Sequence, residues 1–550
     1  MPSLDHLHRT IPALMIALLF AAGFPALDQY NVTWDEALGD LFFGERYLSF
    51  FTTLDPAYLD FDADPYPPER RPDLSLSPFK VRPWEYYPFA NTLAAATSTV
   101  LARWLGWLDP FDGFHAVNLF LAAILVWVLF RFLAPRLGLV AATVAVGLLF
   151  TSPRIVCHLM ANIKDFPLMV LFAVTAVVFF RAYEAGSVRG LVGAGALWGL
   201  ALATKANALF FPCIPMALLI LGRWPAAWRG RRTALALGLL GAAAVGVAVM
   251  VAVWPYLWAD PVGHFREHLE YIGFRKGFTR PESIAPVFEA VLFTTPPVFL
   301  TLFGIGLVPA LRRAWKRDRL ALFLLAWVAT ALGRYVLPQA VNFDGVRHFL
   351  ELFPAMAAIA GLGAAKIGKR FTASVPRHRQ QLKAALLVVL LLPGSWQVLR
   401  AHPFQIAYWN VFAGGYAGAR AANLPQAGDY WGMSYRLGLR WLNDNAPEAA
   451  FLAVPVIEHA VRLVASERLR PDIQLLPVTT PFSPRIAPER LAGTRELARQ
   501  RPVYVMFVER RDWLNQLMVD CLRTLEPEAV WELEGAPVLS IYRYRWPLPG

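Results

Sequence analysis

The chain has 550 residues, 57% of them hydrophobic and only 17% charged, with a mean hydropathy of +0.42 and 19 tryptophans. Soluble domains carry about a quarter charged residues, so this composition excludes a soluble enzyme and implies a membrane body with many spans. The net charge of +12 lies in short clusters between apolar runs, not on one basic face, which fits membrane topology and argues against nucleic acid as a partner.

Residues 11–27 follow a short leader containing Arg9 and read as an uncleaved first span with the N-terminus inside, because the sequence has no small-x-small cleavage site after them. Just beyond it stands Trp34-Asp35-Glu36, two adjacent carboxylates at the far water interface. Ionisable groups there are either helix caps or part of a site. Residues 28–113 form a large first outside loop carrying interfacial helices. Its first part is acidic, aromatic and Pro-rich, with Asp55, Asp60, Asp62, Asp64 and the run Pro65 to Pro68. Residues 88–107 are apolar but interrupted by Asn91 and Arg103, as in a helix lying along the membrane surface.

Ten more spans come after it, at 114–133, 138–152, 166–183, 189–206, 207–222, 233–255, 287–310, 320–337, 349–365 and 383–399, about eleven in all. The basic clusters Arg131/Arg136, Arg181/Arg189, Arg223 to Arg232, Arg312 to Arg319 and Lys366 to Lys383 all fall on one side of this arrangement. That side is the cytoplasm, which leaves Asp35 and Glu36 outside. From about residue 401 the pattern changes. Short β-rich runs at 450–455, 503–508 and 537–544 alternate with helical spacing at 488–500 and 512–524, as in a small α/β domain. The expected fold is a mainly α polytopic bundle over 1–400 with an extramembrane α/β domain over 401–550. Cys157, Cys213 and Cys521 lie far apart and supply neither a disulfide framework nor a zinc site.

The outside ends of the spans carry polar groups at membrane depth. His115 and Asn118 open the second span, and His158, Asn162, Lys164 and Asp165 lie between the third and fourth. Lys205 and Asn207 sit in a tight turn, and Asn342-Phe343-Asp344-Gly345-Val346-Arg347-His348 enters the tenth span. Taken singly, each has an ordinary reading: Asp165 as a helix cap, Lys205 snorkelling, Arg347 anchoring a helix end. Together they place carboxylates and cations on one face. Lys or Arg there can neutralise a departing lipid phosphate, and a carboxylate can take the proton from an attacking hydroxyl. By side and charge, Lys164, Lys205 and Arg347, with the adjoining His348, are candidates for the donor phosphate. His115, Asn118, His158, Asn162 and Tyr87 are candidates for substrate contacts.

The carboxylate pair in the first outside loop, the aromatic-Pro entry Tyr86-Tyr87-Pro88-Phe89 and the Asn162-x-Lys164-Asp165-x-Pro167 turn resemble the GT-C membrane glycosyltransferases. Nearest among them is the protein O-mannosyltransferase and lipid A aminoarabinose transferase group, over roughly residues 10–365. His402-Pro403-Phe404, Tyr408-Trp409-Asn410 and Gly414-Gly415 resemble a bacterial mannosyltransferase-like subgroup. The resemblance implies an inverting transferase of the bacterial inner membrane that moves a sugar from a polyprenyl-phosphate donor to a glycan, lipid or protein hydroxyl. It places Asp35 at the catalytic acidic position, as general base, with Glu36 its neighbour and Asp165 at the second acidic position. It implies no cofactor for the nearer relatives, a divalent metal being used by some others. His115 and Asn118 stand where many relatives have Arg, and Tyr87-Pro88 where many have Pro-Pro. A transporter or flippase, or a non-catalytic polysaccharide-assembly subunit, is the alternative reading. Against the transporter, the polar groups gather near one face and not at the midplane.

Overall fold

The computed structural model describes residues 4–63, 82–273, 285–336, 344–373, 378–480, 483–510 and 513–548. Asp64, the run Pro65 to Pro68, and Asn342-Phe343 lie outside the described residues. The architecture is mainly α and polytopic, with a small sheet near the C-terminus. Among the described residues, seven helices are long and apolar enough to cross a membrane, and Leu139–Phe150 with Pro153–Ala161 form an eighth candidate bent by 64°. Three further expected spans fall on shorter apolar helices: Val188–Leu202, Ala206–Leu221 and Arg319–Gly333.

Helix burial sorts the bundle. Asp165–Ala185 is central, with nearly all of its apolar stretch buried, whereas His6–Gln29 and Gln380–Arg400 bury little and lie at the periphery. Helices approach one another where side chains are absent. A Cβ on Gly195 or Gly199 would overlap the backbone of Ala242 or Gly246, so Val188–Leu202 packs directly on Arg232–Ala252. Gly306 and Gly363 do the same for Pro297–Trp315 and Phe353–Ala373.

After the first long helix, Glu36–Asp40 forms one π-turn that runs into the helix Leu41–Thr53. The expected surface helix is Pro88–Ser98, continued by a π-turn through Trp104, with Pro88 at its first position, where a missing N–H costs nothing. Asn91 donates to Asp40 (3.1 Å) and Arg103 to Glu45 (2.9 Å), so the two polar residues that interrupt this apolar stretch tie it to the π-turn and to Leu41–Thr53.

Beyond Arg400, five strands form one sheet: β1 (Phe451–Ala453), β2 (Gln474–Leu476), β3 (Val503–Val508), β4 (Pro527–Leu533) and β5 (Ala536–Tyr544). Their order is β2-β1-β3-β5-β4; β1 pairs parallel with β2 and β3, while β5 runs antiparallel to β3 and β4. The three β-rich runs of the sequence correspond to β1, β3 and β5. β2 is too short to show a period, and β4 is an edge strand whose acids face water. This region docks on the membrane part through the chain leading to Asp35. Asn31 N–H donates to Met433 O (2.8 Å) and Trp34 N–H to Trp431 O (3.1 Å).

Candidate functional site

Asp35 stands at the N-terminal edge of the π-turn, with its side chain 21% exposed. Its Oδ2 accepts from Lys164 Nζ at 3.0 Å and from Arg347 Nη1 at 2.8 Å. These cations arrive from segments that the sequence places 129 and 312 residues away. Lys164 also lies 3.2 Å from Asp40 and 5.7 Å from the centre of the Tyr86 ring.

Lys164 is presented by a turn that Asn162 builds. Asn162 Oδ1 accepts the backbone N–H of Asp165 (2.7 Å) and of Lys164 (3.2 Å), which caps the helix Asp165–Ala185. The cap is therefore Asn162, and Asp165 keeps its carboxylate for cations: Lys205 bonds one oxygen, and Arg347 Nη1 lies 3.5 Å from the other. Behind the turn, Asn118 Nδ2 donates to Asn162 O (3.0 Å), and Asn162 Nδ2 lies 3.0 Å from His158 Nδ1. Asn118, His158 and Asn162 thus shape the turn from behind.

Arg347 enters on the 3-10 segment Gly345–Leu352, after Asp344, which takes a left-handed conformation with φ of 56°. It bonds Asp344 (2.9 Å) and lies with its guanidinium carbon 4.6 Å from the centre of the Trp431 ring. Trp431 Nε1 donates to the same Asp344 (3.3 Å), and Arg510 reaches its other oxygen at 3.7 Å. His348 Nδ1 lies 3.3 Å from Lys205 Nζ. One cluster therefore holds Asp35, Asp40, Asp165 and Asp344 against Lys164, Lys205, Arg347 and Arg510.

The remaining sequence candidates sit elsewhere. Glu36 points away from the cations: its Oε2 accepts Thr33 N–H (2.8 Å) and meets His115 Nε2 at 3.2 Å. Of the two adjacent carboxylates, one caps the turn and the other faces the cations. Tyr87 is turned outward from the cluster, its hydroxyl 3.0 Å from His268 Nε2; Tyr86 is the residue beside Lys164. Sequence reasoning missed Asp40, Tyr86, Trp431 and Arg510. Asp40, one turn after Asp35, carried a readable signal. Trp431 and Arg510 carried none, since nothing in the sequence says which face of the C-terminal region meets the membrane part.

Burial pushes the Asp35 carboxyl upward, but Arg347 and Lys164 outweigh it and hold the group well below the usual carboxylate range. Burial acts against charge on Lys164 too, and Asp35 and Asp40 more than offset it, keeping the ammonium charged. Asp40 goes the other way. Burial, with the neighbouring Asp35 and Glu36, lifts it to about 6 against the pull of Lys164 and Asn91. A carboxyl raised on folding stabilises below its unfolded pKa, and that contribution is lost as pH rises through about 6. Asp40→Asn removes this dependence, so on going from pH 5 to pH 8 the variant gains on wild type by a few degrees of thermal midpoint. Parallel midpoint curves for the two proteins would contradict the raised carboxyl.

The donor set does not suit a divalent ion. Lys164 Nζ bridges Asp35 and Asp40, and no group of three or more His, Cys, Asp or Glu side chains converges among the described residues.

Residues 112–256 match the family model described as Dolichyl-phosphate-mannose-protein mannosyltransferase. That segment contains Lys164, Asp165 and Lys205; Asp35 and Arg347 lie outside it. No curated protein sequence matches the chain. Among solved structures, it is similar to ArnT from Cupriavidus metallidurans bound to undecaprenyl phosphate, with a TM-score of 0.53, 12% identity and 98% of each chain covered. The apo state of the same ArnT gives a TM-score of 0.50 at 16% identity, covering 96% of this chain and 97% of that one. The fold is GT-C. At such identities the likeness carries the architecture alone, and it spans both the helical body and the C-terminal sheet. In this fold, the buried ion cluster lies where the loop after the first helix, the Asn162 turn, the Lys205 turn and the Gly345–Leu352 segment meet.

Proposed function

We propose that this protein transfers a sugar from a polyprenyl-phosphate donor to a hydroxyl acceptor on the outer face of the bacterial inner membrane, with inversion. The N-terminus is cytoplasmic, and residues 401–550 form a separate periplasmic domain closing over the site. The observation that carries this reading is Asp35 held between Lys164 and Arg347 at the mouth of the helical body. The GT-C fold and the glycosyltransferase family match over 112–256 support it.

The charges suggest how the steps are coupled. Four carboxylates already face four cations, so an entering phosphate must compete for them. Asp35 is the most exposed of the carboxylates bound to Lys164 and Arg347, and the one a phosphate displaces. While two cations hold it, Asp35 is a weak base. Once the donor phosphate takes Lys164 and Arg347, Asp35 regains basicity beside the anomeric carbon. The acceptor oxygen then attacks that carbon, Asp35 takes the hydroxyl proton, and the sugar–phosphate bond breaks with its electron pair going to phosphate. Lys164, Lys205 and Arg347 neutralise the leaving group. Asp165 positions Lys205 and Arg347, and Glu36 with His115 fixes the turn that aims Asp35.

Mass analysis of lipids retained by the gently purified protein tests the donor class. A polyprenyl-phosphate sugar is expected, and incubation with its acceptor pool should convert it to polyprenyl phosphate. Retention of a nucleotide sugar with no polyprenyl lipid would overturn the proposal.

A further inference from the structure

The motif from His402 to Gly415 joins the last long helix to the C-terminal region. Tyr30 hydroxyl donates to Gln405 Oε1 (2.6 Å), Asn410 Nδ2 donates to Leu292 O and Thr295 O, and Arg154 Nε donates to Tyr408 O (3.0 Å). Beside this junction opens a cavity of about 410 Å³, away from the Asp35 cluster. Its walls come from three elements: Trp396 and Arg400 in the last turns of Arg379–Arg400, Tyr408 and Trp409 in the motif, and Glu534 in the turn between β4 and β5. The volume falls within the range of small-molecule sites.

The lining is chemically mixed. Arg400 is exposed and forms no ion pair among the described residues. Glu534 accepts the Tyr416 N–H with one oxygen (2.6 Å) and brings its negative charge to the same cavity. Trp409 Nε1 is buried without an acceptor. The surface beside the cavity is apolar and exposed: Leu399 is 69% exposed, and Val411 and Phe412, on the adjoining loop, are 72% and 56% exposed. An isolated Trp and Arg at a helix end serve as interfacial anchors. A carboxylate brought in from a separate hairpin makes this a pocket with both signs of charge.

An occupant of such a pocket pairs an anion with Arg400, a hydrogen-bonding cation with Glu534 and hydrocarbon with the exposed face of Arg379–Arg400. We propose that the cavity binds the head group of an aminophospholipid, with phosphate on Arg400 and primary ammonium on Glu534. The lipid braces the last span against the β4–β5 turn. An anionic lipid without an amine would meet Glu534 unfavourably, and a quaternary ammonium has no N–H to donate to it. This inference is independent of the transfer reaction.

Native mass spectrometry of the delipidated full chain, offered equal amounts of phosphatidylethanolamine and phosphatidylglycerol, tests it. Wild type is expected to retain phosphatidylethanolamine about tenfold over phosphatidylglycerol, the effect of one charge-assisted hydrogen bond. Arg400→Gln should lower retention of both lipids, and Glu534→Gln should abolish the preference between them. Equal retention by wild type overturns the proposal, as does a preference unchanged in both variants. Arg400→Gln alters an exposed side chain, so its result stands even if Glu534→Gln lowers the yield of folded protein.

Discussion

Asp35→Asn is expected to fold, to bind polyprenyl phosphate more tightly than wild type, and to lose about 10²- to 10⁴-fold in transfer rate, the usual contribution of a general base. The effects on binding and on rate have opposite signs because Asp35 plays two parts in the proposed cycle. In the resting site it is the anion on Lys164 and Arg347, at 3.0 and 2.8 Å. Asparagine keeps the shape but withdraws the charge, so the incoming phosphate no longer competes for those cations. With the acceptor present, the same change removes the proton acceptor. Binding is read by titrating polyprenyl phosphate against intrinsic fluorescence, since Trp34 and Trp431 adjoin the cluster. Turnover is read in reconstituted membranes. A variant with wild-type turnover would remove Asp35 from the chemistry. A variant with weaker phosphate binding would refute the competition between Asp35 and donor.

Arg347→Gln is expected to be the most damaging single change in the cluster. The guanidinium meets Asp35, Asp165 and Asp344 at 2.8, 3.5 and 2.9 Å and lies against Trp431 at 4.6 Å. Removing one partner from a buried ionic network leaves uncompensated carboxylates, at a cost of about 3–5 kcal/mol. Glutamine therefore lowers the thermal midpoint and abolishes phosphate binding together. Arg347→Lys separates the two effects. It restores the charge, and with it most of the stability, but a single ammonium cannot span Asp344 and Asp35 in the fork that the guanidinium makes. Donor binding should stay at least tenfold weaker in the lysine variant, measured by the same titration. Full recovery of binding by lysine would mean that charge alone, not the planar fork, organises the site.

Much of the architecture was readable because a bilayer imposes simple rules on a chain. Apolar length marks the spans, as in Asp165–Ala185. Asn91 and Arg103 argued against a span over residues 88–107, and the structure pairs Asn91 with Asp40 and Arg103 with Glu45. The β-rich runs located β1, β3 and β5. The short β2 escaped because three residues show no period, and the edge strand β4 because its inward face is only half-buried before Leu533 and carries Pro527 and Ala529 in place of β-branched residues.

The site divides along the same physical line. The sequence by itself determined that Asp35, Lys164, Asp165, Lys205 and Arg347 arrive on one face, because charge cannot sit in hydrocarbon and each lies at the end of an apolar run. The family resemblance set Asp35 ahead of Glu36 but gave no geometric reason for the choice. The tertiary structure supplies one: backbone geometry turns Glu36 onto Thr33 N–H and His115, while Asp35 meets cations 129 and 312 residues away. It alone brought Trp431 and Arg510 over Asp344 and Arg347, and set Tyr86, not Tyr87, beside Lys164. The positions of the spans follow from transfer free energies along the chain. Which oxygen faces which nitrogen is decided by packing between segments hundreds of residues apart, a distance over which no local periodicity carries information.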